Sequence, residues 1–213
     1  MALPYTKKVL EYFMHPKNVG EIKNPDAVAT LGSPACGDMI TTYLRVNPKT
    51  LVVEDVKFKS YGCAANIATA SVISEKAKGR TVHEILAMDT ATAARELGGL
   101  PPVKMHCSVL AVNTLKKAIK EYMVAKGIWK KEEVPLTQDA ILSELLNVVN
   151  PEIGLDIVRL KMVENIRIDN GEVEVTIRLG TTDEMFAQAI KEEVEEELRE
   201  LQEVKKVTVI VKK

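Results

Sequence analysis

The sequence has 213 residues, 46 % apolar and 28 % charged, with a formal net charge of −1; this suits one large or two modest globular domains and excludes a disordered chain. No apolar run approaches the roughly 18 residues of a membrane helix, and residues 1–8 lack the apolar core of a signal peptide, so the expected location is the cytoplasm, with no membrane partner. Residues 1–127 hold 17 Lys+Arg against 11 Asp+Glu and residues 128–213 hold 12 against 19, which suggests two domains of opposite sign, while scattered lysines and 4 % aromatics argue against nucleic-acid binding.

Tyr5 to Met14 is predicted as a short helix stopped before Pro16, and Asn24-Pro25 and Ser33-Pro34 mark an irregular stretch after it. Thr41 to Val46 and Leu51 to Tyr61 alternate polar and apolar side chains around Asn47-Pro48, a hairpin pattern. From Cys63 to Lys78 the pattern turns helical and ends at Gly79. Thr81 and Glu84 form a capping box for a short helix through Met88. Leu100-Pro101-Pro102 forces an extended segment, and Cys107 to Ala125 is a second long helix closed by Gly127.

Residues 128–136, with the single Trp and the run Lys130-Lys131-Glu132-Glu133, are predicted as a linker between a domain at 1–127 and another at 137–213. Thr137 caps a helix to about Val149. Val163 to Ile168 and Glu172 to Leu179 are strands joined by Asp169-Asn170-Gly171, a tight-turn sequence. Thr182 to about Leu201 is an acidic helix and Lys205 to Val211 a last strand. The expected class is α+β: a first domain with a small antiparallel sheet and helices packed on it, then a smaller α-β-β-α-β domain without Cys or His.

The three cysteines lie 27 and 44 positions apart. An odd count does not fit a disulfide framework; in a reducing compartment the thiols are inert core groups, nucleophiles or metal ligands. Each falls at a chain reversal: Cys36 before a strand, Cys63 at a strand-to-helix junction, Cys107 at a helix start. Helix N-termini favour the thiolate, which binds metal or attacks sulfur, and Gly37 and Gly62 remove bulk beside two of the cysteines. The spacing matches neither a zinc knuckle nor the usual ferredoxin patterns, so inert thiols and a shared metal site both stay open. In a shared site, three thiolates are one short of the four that hold a stable cluster, leaving Asp38 or His106 for the fourth position and making the site able to release what it holds; the three sulfurs are then expected together on one exposed rim. His106 and Cys107 are adjacent, a spacing that rarely aims one side chain at the other, so a Cys–His nucleophile is not expected. His15 and His83 have no ligand-like context and are assigned to solvated surface.

The first domain resembles the U-type iron–sulfur cluster scaffolds, IscU and the N-terminal part of NifU. The match rests on Tyr5-Thr6-Lys7-Lys8-Val9, His15-Pro16-Lys17-Asn18-Val19-Gly20, Ala35-Cys36-Gly37-Asp38, Phe58-Lys59-Ser60-Tyr61-Gly62-Cys63-Ala64 and Leu100-Pro101-Pro102-Val103-Lys104-Met105-His106-Cys107-Ser108. The resemblance implies a non-enzymatic scaffold on which a [2Fe-2S] or [4Fe-4S] cluster is built from iron and sulfur and passed to recipient apo-proteins. It implies Cys36, Cys63 and Cys107 as cluster thiolates with Asp38 or His106 completing the shell, and zinc in the same set when no cluster is present. It further implies Cys107 as acceptor of persulfide sulfur from a cysteine desulfurase, and Asp38 as the residue that keeps the cluster labile. Leu100, Pro101, Pro102, Val103 and Lys104 become the segment gripped by an Hsp70-type chaperone with its co-chaperone, and Tyr5 a contact in a homodimer. A zinc-binding structural or adaptor protein is the alternative from another class, and a persulfide relay without cluster assembly a third.

The second domain resembles the SufT/PaaD-like family through Asn150-Pro151-Glu152-Ile153-Gly154, Ile157-Val158-Arg159-Leu160, Gly171-Glu172-Val173 and Thr181-Thr182. It departs from that family at Asn150, where an Asp usually stands, and at Asp183-Glu184-Met185, where a Cys usually follows the Thr pair. It therefore offers no thiolate, and is read as a docking or tuning module or a plain tether.

Overall fold

The computed structural model describes residues 5–33, 37–129, 135–150, 153, 155–180, 184–199, 201 and 203–212. Cys36, the Lys130–Glu133 run, Pro151, Glu152, Gly154 and Thr181 to Asp183 lie outside the described residues. The chain divides into two compact units, Met1–Lys131 and Glu132–Lys213.

In the first unit, α1 (Lys7–Met14) is capped by Thr6, whose side chain accepts from the Val9 amide. Three antiparallel strands follow: β1 (Ala27–Ser33), β2 (Asp38–Val46) and β3 (Val53–Tyr61), in the order β1-β2-β3. The predicted irregular stretch thus holds an edge strand, its Ala27↔Leu44 to Ser33↔Asp38 register supplied by β2 rather than by its own weak alternation. Then come α2 (Ala64–Ala77), α3 (Val82–Leu86), α4 (Thr92–Glu96) and α5 (Met105–Ala125). The Thr81/Glu84 capping box is formed as expected. The segment before α5 departs from the extended reading: Pro101 is extended, but Pro102–Lys104 forms a 3-10 turn running into α5.

The core lies between one sheet face and the helices, with α5 against β1 and β2, and α2 against β3, α1 and α5. Its largest sealed side chains include Ile40, Leu44, Phe58, Leu115, Ile119 and Tyr122. Burial alternates along β2, so Asp38, Ile40, Thr42, Leu44 and Val46 share the inward face. A carboxylate thus sits at the end of an otherwise mostly apolar row. Ten of the fourteen residues of α2 are buried, among them Asn66, Thr69, Ser71 and Ser74; these polar groups fasten the helix to its neighbours, as when Ser71 Oγ accepts from the Lys17 amide at 2.8 Å and Ser74 Oγ from Asn18 Nδ2 at 3.0 Å. Trp129, at the start of the expected linker, packs partly buried on this core.

The second unit runs α6 (Gln138–Leu145), β4 (Val163–Asp169), β5 (Glu172–Arg178), α7 (Glu184–Arg199) and β6 (Lys206–Lys212), the expected α-β-β-α-β order. Thr137 caps α6, which ends four residues before the expected Val149. β4 and β5 pair antiparallel through a turn in which Asn170 and Gly171 both have positive φ, the conformation a two-residue hairpin demands. β6 returns parallel to β5 after α7. Ile141, Leu145, Ile157, Val175, Ile177, Val194 and Leu198 fill its core.

Candidate metal centre

Three local features bring distant residues to one point. Asp38 opens β2 on its inward face. Cys63 is the N-cap residue of α2, reached from β3 through Gly62. His106 and Cys107 stand in the first turn of α5. The Cys63 and Cys107 sulfurs are 3.8 Å apart. Asp38 Oδ2 lies 3.7 Å from the Cys63 sulfur, 3.4 Å from that of Cys107 and 3.5 Å from His106 Nε2. Asp38 Oδ1 accepts the Cys63 amide at 3.1 Å. Asp38, His106 and Cys107 present potential ligand atoms within 4.8 Å of one another. The structure therefore gathers four of the five expected ligands; the fifth, Cys36, is outside the described residues.

Two expectations change. His106 Nε2 does meet the Cys107 sulfur, at 3.3 Å: consecutive helical Cβ atoms diverge, but the long imidazole bends back across the turn. The site is also deeper than an exposed rim, with Cys107 at 0 %, Asp38 at 3 % and His106 at 6 % exposure and only Cys63 half-buried. His15 and His83 are exposed, as expected.

Gly62 has φ +151°, and a Cβ there would stand 2.2 Å from Asp38 Oδ1 and 2.8 Å from Asn66 Nδ2. Its missing side chain makes room for the carboxylate rather than for a cargo alone. Gly37 has φ +64° with no described residue within 4 Å of its would-be Cβ, so it serves backbone conformation. Sequence reading missed three supports. Asn66, a polar residue in an Ala-rich helical run, donates to Ser60 Oγ and to the Tyr61 carbonyl. Thr69 Oγ1 lies 3.1 Å from the Cys107 carbonyl. Ser108 Oγ accepts the Ala94 amide at 3.1 Å and donates to the Thr90 carbonyl at 2.6 Å, capping α4, whose own N-cap residue Ala91 makes no side-chain bond.

The electrostatics separate the two thiols. A hydrogen bond from the Cys107 thiol, with a contribution from the Asn66 backbone amide, lowers Cys63 to about 6 against the opposing effect of burial. Cys107 is pushed up by that same pairing with Cys63, by burial and by the nearby charge of Asp38. Burial would raise Asp38, but hydrogen bonds from His106, the Cys63 amide and Cys107 hold it below the ordinary carboxylate range. Partial burial, then the charges of Cys63, Cys107 and Asp38 against that of Lys104, raise Tyr5. In the metal-free chain the thiolate is therefore on Cys63 and the proton on Cys107. Iodoacetamide should label Cys63 with a midpoint near pH 6, the rate growing as pH rises through that value because the thiolate is the reactive form. Cys107 should stay unlabelled until the chain unfolds. Peptide mass spectrometry reads both, and an ordinary midpoint for Cys63, near 9, would mean the sulfurs are not coupled.

Two thiols, a carboxylate and an imidazole suit iron or zinc, which take sulfur and nitrogen donors. Residues 4–128 match the model of the NifU-like N terminal domain, and residues 138–211 match that of the iron-sulfur cluster assembly protein family. The chain is 45 % identical over 136 residues to iron-sulfur cluster assembly scaffold protein IscU 1 of Archaeoglobus fulgidus, covering 63 % of this chain and 88 % of that protein. It is 42 % identical over 127 residues to scaffold protein IscU of Aquifex aeolicus, covering 60 % and 81 %. The crystal structure of a nitrogen-fixing NifU-like protein (N-terminal) from Brucella abortus overlaps 57 % of this chain and 95 % of its own at 26 % identity and a TM-score of 0.48. Among the described residues no helix is long and apolar enough to cross a membrane. Residues 138–211 thus match a second family model behind the first, and with the first match spanning more than half of its length, the chain belongs to the NifU-like N-terminal domain family.

Proposed function

We propose that the protein is a scaffold on which a [2Fe-2S] cluster is assembled and from which it is passed to apo-proteins. The observation that carries this reading is the convergence of two sulfurs, a carboxylate and an imidazole nitrogen within 4 Å contacts at the junction of β2, α2 and α5. Cys63 and Cys107, with Cys36, supply thiolates, and Asp38 or His106 supplies the poorer fourth donor. The printed names of the relatives, iron-sulfur cluster assembly scaffold proteins, support the same reading. Iron and sulfide are then cargo, and zinc a stand-in for iron in the cluster-free chain.

The scaffold is not an enzyme on this reading: a partner cysteine desulfurase breaks the C–S bond and delivers the sulfur. Cys107 is the proposed acceptor: its thiolate would attack the outer sulfur of the desulfurase's persulfide and release the donor thiolate, a separate electron donor would supply the two electrons that turn this sulfur into sulfide, and the complete burial of Cys107 means the site opens before the donor reaches it. Leu100 to Lys104 form the proposed chaperone segment; Val103 is exposed there at 47 % and presents an apolar side chain beside the site. The cytoplasm is the proposed compartment.

Anaerobic incubation with ferrous iron and a sulfide source should give visible absorption and the Mössbauer signature of a two-iron cluster, which an apo-ferredoxin then strips. Cys63→Ser should abolish retention, since the half-buried thiolate is lost. A Cys63→Ser chain that holds the cluster unchanged would falsify the scheme.

A further inference from the structure

We propose that Asn66 is a positioning residue for this site, holding the Tyr61-Gly62-Cys63 turn so that the Cys63 amide meets Asp38 and the Cys63 sulfur lies beside Cys107. The proposal deepens the metal-site reading above and rests on it for the affinity measurement alone.

Asn66 is fully buried in the first turn of α2. Its Nδ2 donates to Ser60 Oγ at 3.0 Å and to the Tyr61 carbonyl at 3.2 Å. Its Oδ1 accepts no hydrogen bond from any described residue. A buried carbonyl left without a donor is destabilising, and Ala is the better helix former. Packing alone would therefore favour a smaller apolar residue here, as at Ala64, Ala65 and Ala68 around it. The orientation of the carboxamide is fixed by chemistry: turned over, it would set one carbonyl oxygen against that of Tyr61.

What the two donated bonds hold is the end of β3. Ser60 and Tyr61 are its last residues, and the chain leaves them through Gly62 at φ +151° to reach Cys63. The would-be Cβ of Gly62 lies between Asp38 Oδ1, at 2.2 Å, and Asn66 Nδ2, at 2.8 Å. The turn is thus clasped from both sides. The carboxylate of Asp38 takes the Cys63 amide and the carboxamide of Asn66 takes the Tyr61 carbonyl. Asn66 touches neither sulfur through its side chain; it acts through the backbone that aims Cys63.

The test compares wild type with Asn66→Ala and Ser60→Ala, each first shown folded by circular dichroism. In metal-free protein, hydrogen exchange at the Cys63 amide should quicken roughly tenfold in Asn66→Ala, the effect of losing about one hydrogen bond, while amides in the middle of α2 keep their protection. Cobalt(II), followed by its thiolate charge-transfer bands, should bind about 10–100-fold more weakly, as happens when groups supporting metal ligands are removed, with shifted d–d bands. Ser60→Ala, which leaves the Tyr61 bond, should show a smaller change of the same kind and stands in if Asn66→Ala does not fold. Unchanged Cys63 exchange in the folded variants overturns the proposal. A wild type that takes up no cobalt overturns the metal reading instead, and the exchange measurement still decides the role of Asn66.

Discussion

Gly62→Ala is expected to cost both the stability of the first unit and its metal site. Two penalties add. An L side chain at φ +151° sits in a region that only Gly occupies freely, at about 1–3 kcal/mol. The new Cβ also meets Asp38 Oδ1 at 2.2 Å, so the carboxylate has to leave. It has little freedom to do so cheaply, because one oxygen holds the Cys63 amide and the other lies against Cys63, Cys107 and His106. Losing that set costs a further 1–3 kcal/mol or so. The unfolding free energy of the variant in urea should therefore fall by roughly 2–6 kcal/mol, and cobalt affinity by about a hundredfold. Gly37→Ala separates conformation from space. Its φ is +64° and no described residue stands within 4 Å of the would-be Cβ, so the substitution costs about 1 kcal/mol and leaves the described ligands where they are. Cobalt binding by Gly62→Ala equal to that of Gly37→Ala would show that the carboxylate has no fixed place in the site.

What could be read from the sequence follows the range of the interactions. Helix starts set by local chemistry, at Thr81 and Thr137, fall where the side chains call for them. The tight Asn170-Gly171 turn does so for the same reason, whereas α1 starts at Lys7, two residues past the expected Tyr5, because Thr6 caps it. Elements whose support comes from far along the chain were not legible. β1 is a run of small residues that becomes a strand because β2 offers it a ladder, and α4 has an uncapped start that Ser108 satisfies from α5. The site shows both cases. Placement of Cys63 and Cys107 at helix starts is local and was legible; the inward face of Asp38 was not, because the strand was expected only from Thr41 and β2 begins at Asp38. That Asp38 meets sulfurs 25 and 69 positions away depends on how α2 and α5 cross the sheet, and neighbouring residues say nothing of that. The depth of the site was misjudged for the same reason, since burial of Cys107 is set by elements packed over it rather than by its position in α5.

Asp38→Ala should move the empty and loaded scaffold in opposite directions. In the empty chain the carboxylate is ionised and in demand, held below its ordinary range by the groups that donate to it. Because its folded value is depressed, the stability it adds is present above the ordinary carboxylate range and lost as pH falls through the lowered one. Near neutral pH the Ala variant therefore forfeits it, by about 1–3 kcal/mol for the stranded donors. In the loaded chain the balance reverses. Cluster sulfides and thiolates bring negative charge to the place where Asp38 Oδ2 stands 3.4 and 3.7 Å from the two sulfurs. Like charges about 4 Å apart repel by about 4 kcal/mol at an effective dielectric of 20. If only a third of that survives delocalisation over the cluster, its removal lengthens the lifetime about tenfold. The expected result is a lower urea midpoint for the empty variant together with slower loss of visible absorption when apo-ferredoxin is added to the loaded one. Faster loss would make Asp38 an ordinary ligand, leaving His106 as the weak corner from which the cargo departs.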